Sequence, residues 1–265
     1  MNMRFHGMRL TLALGGLLLL SGSLRAQVMF YRTNSDTFAG VTFSMTPYAS
    51  LANLATGAIT GDIADIAPDI PLSSQVFSDG TFYYKTVANG GVTNQVVRYA
   101  SLDGLSTDTG GTIFNLTTGG NPATWNLADS FFSDGTYFYR NGSVDPVTPV
   151  VGRYDSFADM VSDTNPIYFD YAGGGYSLAD RFFAVNGIFY RSLTSGGLVT
   201  GFAVYDTFEA LRVNNASHVE NSASLWGTAD RFIAIAVVPE PSTCAFLAAG
   251  AAAIFVWRRR CTEES

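Results

Sequence analysis

The stretch Phe131-Phe132-Ser133-Asp134-Gly135-Thr136-Tyr137-Phe138-Tyr139-Arg140 sets an Asp-Gly pair between two aromatic runs. Gly reaches positive φ without strain and Asp bonds nearby amides, so this pattern is a strong hairpin signal. Counterparts surround Asp79-Gly80 and Asn186-Gly187. Moving outward, the closing triplet aromatic-Tyr-basic recurs as Phe30-Tyr31-Arg32, Tyr83-Tyr84-Lys85, Phe138-Tyr139-Arg140 and Phe189-Tyr190-Arg191. A second marker, Tyr followed by a small or acidic residue, Ser/Thr and an apolar residue, falls at Tyr48, Tyr99, Tyr154 and Tyr205, with spacings of 51, 55 and 51. A third places an aromatic four residues before the Asp of Ala-Asp: Trp125/Asp129, Tyr176/Asp180 and Trp226/Asp230. The earliest copy departs, with Ser74-Gln75 where Ala-Asp is expected. Three markers at one period of about 52 residues define four internal repeats.

Each repeat reads as short strands. The hairpin gives the first two, and a third runs into the repeated tyrosine in QVVRY (95–99), VVGRY (150–154) and GFAVY (201–205). The SFADM and TFEAL segments that follow suit one helical turn. A fourth strand is expected near Ile113–Leu116 and Ile167–Tyr171, with its weakest version around His218–Glu220. Four strands in about 50 residues is the size of a propeller blade. The repeat region begins at QVMFYR, a second strand lacking its first, and stops at ADRFIAIAVV, a first strand lacking its second. The C-terminal strand therefore completes the N-terminal blade and removes the open edges. The expected fold is all-β, a four-bladed β-propeller over residues 27–237. A β-sandwich pair or an open β-solenoid would leave the complementary ends unexplained.

The termini read as addresses. Residues 1–26 have the form of a secretory signal peptide: Arg4 and Arg9, an apolar run from Leu10 to Leu20, then small residues up to Ala26. Eleven apolar residues are too few to span a bilayer. At the other end, Val238-Pro239-Glu240-Pro241 precedes sixteen residues from Ser242 to Trp257, about 24 Å of helix. Arg258, Arg259 and Arg260 follow, so a short transmembrane helix would keep the tail cytoplasmic and the body outside. The VPEP box, short apolar helix and arginine cluster of residues 238–265 resemble the PEP-CTERM sorting signal of exported bacterial proteins. That resemblance implies sorting by an exosortase, a membrane transpeptidase or protease, with Pro239, Glu240, Pro241, Arg258, Arg259 and Arg260 as the signal. It also implies a Gram-negative host that makes exopolysaccharide, transient residence in the inner membrane through the C-terminal helix, and a final address at the cell surface or matrix.

Charge and composition narrow the function. Residues 27–237 hold 9 Lys and Arg against 19 Asp and Glu, a net of −10, which opposes nucleic-acid and anionic-lipid partners. Both cysteines, Cys244 and Cys261, lie in the tail, so the body has no disulfide and no thiolate site. His218 is the body's one histidine, and no GxSxG elbow surrounds a serine. No catalytic or metal residue is assigned and no cofactor is expected. Asp129, Asp180 and Asp230 read as structural, holding turns or amides; the alternative is a ring of oxygens for a hard cation such as Ca²⁺. Phe131, Phe132, Phe138, Phe182, Phe183 and Phe189 read as core, while Trp125, Tyr176 and Trp226 divide between core and sugar stacking. The expectation is a non-catalytic structural or binding protein, with exopolysaccharide as the partner implied by resemblance. The alternative, a carbohydrate-active enzyme, needs one repeat that gathers polar residues in a cleft. The earliest repeat, with Asp62, Asp65 and Asp69, is the place to look.

Overall fold

The computed structural model describes residues 27–36, 41–71, 74–89, 92–116, 130–143, 149–171, 176 and 180–237. Residues Val28–Ala236 form one compact unit, the body, and the rest of the chain groups into a second unit. The body has four four-stranded sheets. The first blade is β1 (Gln27–Asp36), β2 (Val41–Tyr48) and β3 (Ala64–Pro71), and the second is β4 (Val76–Ser78), β5 (Tyr83–Asn89), β6 (Val92–Tyr99) and β7 (Thr112–Asn115). The third is β8 (Ser130–Ser133), β9 (Phe138–Ser143), β10 (Pro149–Tyr154) and β11 (Ile167–Asp170). The fourth is β12 (Phe182–Val185), β13 (Ile188–Ser195), β14 (Leu198–Tyr205) and β15 (His218–Gly227). The last strand, β16 (Phe232–Val237), joins the first blade beside β1, giving the order β16-β1-β2-β3. This is the four-bladed β-propeller, closed by its C-terminal strand, that the repeats predict.

The hairpins differ in their local chemistry. Asn186 and Gly187 both have positive φ, 52° and 75°, and join β12 to β13 directly, as a type I′ turn requires. Asp79 and Asp134 instead act through their carboxylates. Asp79 Oδ1 accepts from the amides of Thr81 and Phe82 at 2.8 and 2.7 Å, and its Oδ2 accepts from the Tyr84 hydroxyl at 2.6 Å. Asp134 repeats all three bonds with Thr136, Tyr137 and Tyr139.

After each third strand comes the expected helical turn: α1 (Leu51–Thr56), α2 (Leu102–Thr107), α3 (Phe157–Ser162) and α4 (Phe208–Arg212). Ser50, Ser101, Ser156 and Thr207 cap them, each side-chain oxygen accepting the amide three residues on. The half-buried first apolar residue of each of the last two helices packs against the preceding blade. Phe157 lies edge-on to Phe114 of β7, and Phe208 edge-on to Phe169 of β11, with centroid separations of 4.9 and 5.0 Å. The fourth strand with the weakest sequence signal, that from His218, forms over ten residues and is among the longest of the body.

The core lies between blades. Phe77 stacks on Tyr84 and reaches Phe131; Phe132 stacks on Tyr139 and reaches Phe182; Phe183 stacks on Tyr190 and reaches Phe232. The junction of the first and second blades is aliphatic instead, built on Ile233, Ile235, Val76, Val97 and Leu105. All six phenylalanines expected in the core are buried.

Candidate functional site

The repeated basic residue of each second strand points into the protein, not into solvent. A buried cation needs a paired carboxylate, because desolvation otherwise costs several kcal/mol. Arg191 Nε donates to Asp180 Oδ2 at 2.7 Å, with side-chain exposures of only 5% and 1%. Its Nη1 donates to Asn214 Oδ1 at 2.9 Å, which also accepts from the Tyr205 hydroxyl at 2.9 Å. Arg32 Nη1 donates to Asp230 Oδ2 at 3.3 Å. Lys85 Nζ donates to Asp108 Oδ1 at 2.6 Å, and that oxygen also accepts from the Tyr99 hydroxyl. Tyr154 donates to Asp163 in the equivalent position at 2.7 Å.

Backbone bonds define which residues are equivalent. The amides of Thr33, Thr86 and Ser192 donate to the carbonyls of Arg231, Gln75 and Arg181, each at 2.9 Å. Ser74 therefore occupies the position of Asp180 and Asp230, one residue earlier than the sequence alignment of Ser74-Gln75 on Ala-Asp placed it. The helix C-terminal residues Asp108, Asp163, Asn214 and Gly57 are likewise equivalent, all left-handed with φ between 50° and 74°. The acid thus alternates between two places. The first and fourth blades carry it before the innermost strand, with Gly57 or the neutral Asn214 at the helix end. In the second blade Ser74 replaces it and Asp108 supplies the charge from the helix end. Asp129 lies outside the described residues.

Asp180 and Asp230 are thus structural, but through pairing with arginines rather than through turns or amides alone. Burial pushes the Asp230 carboxyl up, against the pull of Arg32. At Asp108 burial acts upward too, but the hydrogen bonds from Lys85 and Tyr99 outweigh it and the carboxyl lies below its ordinary value. The third-marker aromatics complete the unit. The Arg191 guanidinium lies 4.2 Å from the Tyr176 ring centroid and that of Arg32 3.9 Å from Trp226. One face of each ring is therefore covered by the protein's own cation. Trp125 lies outside the described residues.

One blade does break the symmetry by gathering polar groups. A cleft of about 690 Å³ on the first blade is lined by Arg32, Asn34, Ser35, Ser44, Asp65 and Asp230, among others. Asn34 Nδ2 ties its floor together, donating to Ser44 Oγ at 2.7 Å and Thr46 Oγ1 at 2.8 Å. Asp65 is exposed at its rim and Asp230 is held by Arg32. Asp62 is exposed outside it, and the Asp69 side chain is outside the described set. A smaller cleft of about 410 Å³ on the second blade contains the Lys85–Asp108 pair. His218 sits exposed on β15 with Nε2 2.8 Å from Glu220 Oε2 and no nucleophile bonded to it. Among the described residues, no three His, Cys, Asp or Glu side chains gather as a metal site. The dominant sequence signal was the repeat, which exposed the aspartates but not the cleft; Asn34 and Ser44 carry no pattern that a single sequence makes visible.

The expected sorting residues Pro239, Glu240, Pro241, Arg258, Arg259 and Arg260, the helix from Ser242 to Trp257 and the signal peptide all lie outside the described residues. Among those described, no helix is long and apolar enough to cross a membrane. No curated protein matches the chain. Beginning at the last residue of the ring-closing strand, residues 237–260 match the PEP-CTERM protein-sorting motif.

Proposed function

We propose that the chain is an exported bacterial protein, sorted at its C-terminus by an exosortase-type membrane enzyme and delivered to the cell surface or extracellular matrix. The match over residues 237–260 carries this reading. The tail helix would hold the protein in the inner membrane until processing near Pro239, with the body outside. The propeller acts there as a non-catalytic structural or binding component, and exopolysaccharide is the partner that suits the address. The buried Asp180 and Asp230 pair with Arg191 and Arg32, and EDTA is expected to leave the melting midpoint unchanged. The test is intact mass and cell fraction in an exosortase-containing host and in a strain lacking that enzyme. A mass ending near Pro239 in the surface or medium fraction, lost without the enzyme, is the expected result. A full-length C-terminus in the inner membrane of both strains overturns the sorting reading.

A second reading rests on the first-blade cleft, where Asp65 and Asp230 line one cavity and burial raises the Asp230 carboxyl. Two carboxylates with different environments are what glycoside hydrolysis uses. Incubation with the host's polysaccharide and reducing-end detection tests it. Hydrolysis abolished by Asp65→Asn favours the enzyme, and its absence in the wild type leaves the binding role.

A further inference from the structure

The first-blade and second-blade clefts are the same place in two repeats. Strand register pairs Arg32 with Thr46 and Lys85 with Val97, then Asn34 with Ser44 and Val87 with Gln95, and a bulge follows at once in both hairpins. On the inner side the Asp230 amide donates to the Gly227 carbonyl at 3.1 Å, and the Ser74 amide to the Pro71 carbonyl at 2.8 Å. Arg32, Asn34, Ser44, Gly227 and Asp230 line the first cleft; their counterparts Lys85, Val87, Gln95, Pro71 and Ser74 line the second. Bulges of this kind recur beside binding sites because they re-aim a side chain.

We propose that each cleft holds one neutral sugar unit, so that two neighbouring blades grip a polysaccharide chain at two points. An exposed apolar side chain lines each cleft: Ile63 in the first, 49% exposed, and Ile113 in the second, 62% exposed. Ile113 lies across from Val97. Ile63 directly precedes Ala64, the partner of Met45, and so lies across from Thr46. Tyr168 and Val219 hold the same place in the third and fourth blades, across from Gly152 and Ala203, and are 40% and 45% exposed. Core packing accounts for none of the four, and apolar groups kept in water at one repeated place mark a contact surface.

The cleft floors supply the polar half of the recognition. Arg32 with Asp230, and Lys85 with Asp108, set a cationic donor beside an anionic acceptor. Such a pair is neutral as a unit and matches two adjacent hydroxyls, one accepting and one donating. Ser44 and Gln95 add a hydroxyl or an amide at one register position. A pyranose ring has this composition, an apolar C–H face edged by hydroxyls, so its face lies on the isoleucine and its edge on the floor. The body's net charge of −10 disfavours acidic sugars. Asp108 is the one acid lining the second cleft, and Asn115 stands across from Gln95 where the first blade has Asp65 across from Ser44. The second cleft thus lacks the carboxylate pair that hydrolysis uses, and the action the two clefts share is holding. Two weak contacts on one chain multiply, because the second forms at high effective concentration. This rests on the binding role proposed above and names its ligand.

The test uses the full-length chain at pH 7 in a polyoxyethylene detergent, which carries no sugar. Dextran, laminarin and mannan serve as neutral polymers and polygalacturonate as the acidic one, with binding followed by titration calorimetry. At least one neutral polymer is expected to bind saturably and more tightly than polygalacturonate. Ile63→Ser and Ile113→Ser, both at exposed positions, should each weaken that binding by about tenfold or more, and the double variant should abolish it. Ile59→Ser, which removes an exposed isoleucine outside both clefts, should bind as the wild type does. No saturable binding of any neutral polymer overturns the site. Undiminished binding by the double variant overturns the clefts while leaving the binding role in place, and tighter binding of polygalacturonate overturns the neutral ligand. Because the assay needs no processing of the tail, its failure is distinct from a failure of the sorting reading.

Discussion

Each described second-strand cation with an identified acid draws it from one of two positions, before the innermost strand or at the end of the helix. Asp180→Ser removes the acid beside Arg191 and should cost about 3–5 kcal/mol, the range for orphaning a buried charge. Adding Asn214→Asp to that variant rebuilds the arrangement of the second blade and should restore most of the loss, measured by urea denaturation. If the second change restores nothing, the two acid positions are not interchangeable. The repeated Asp and the repeated Arg were each legible in the sequence, but their pairing was not. Asp180 and Arg191 meet because a strand register sets them on one face of the blade, and spacing alone does not reveal register. The same gap explains the one-residue misplacement at Ser74-Gln75, where backbone bonds rather than neighbouring residue types define equivalence. Of the acids that pointed to the earliest repeat, Asp65 lines the first-blade cleft and Asp62 does not, so the repeat was legible and the cleft was not. The Arg32–Asp230 pair that lines it was hidden because it joins residues from the two ends of the body.

The short helices hold because they are capped and packed, not because six residues make a stable helix in water. Ser156 Oγ accepts from the Asp159 amide at 3.1 Å. Ser156→Ala should therefore cost about 1 kcal/mol. For a domain of this size that is a fall in midpoint of about 2–4 °C, read by thermal circular dichroism. An unchanged midpoint would show that Phe157 packing alone fixes α3. The helix ends carry their own demand. Gly57, at φ +74°, accepts no β-branched residue without strain, so Gly57→Val should destabilise far more than Gly57→Asn. Helix position and hairpin position were both readable from the sequence. The outer strand from His218 was underrated because its polar residues suit a strand with one solvated face, and no hydrophobic alternation marks it.

At the scale of the molecule, alkaline pH is the sharpest probe of packing. Twelve tyrosines are raised above their ordinary value, burial being the largest cause in every case, with Tyr176 and Tyr190 pushed up to about 12. A group whose folded pKa exceeds its unfolded one contributes stability that is complete below the unfolded value, near 10 for tyrosine, and lost above it. Arg181 and Arg231 act in the opposite sense, each being lowered on folding, so stability would rise with pH where they titrate. Twelve groups outweigh two, and stability should fall steeply above about pH 10. Phenolate absorbance at 295 nm should appear together with unfolding; gradual ionisation in a folded protein would contradict the burial. Ring closure gives a second expectation. Deleting residues 232–237 strips the first blade of its innermost strand and should abolish cooperative unfolding in a calorimeter.

Because β16 is the last strand of the body to be synthesised and is followed at once by the sorting motif, the seal and the address emerge together. A chain terminated before Phe232 would carry neither: its first blade would stay open at β1 and the matched motif would be missing. One early stop therefore costs the first blade its innermost strand and the chain its matched motif at the same time.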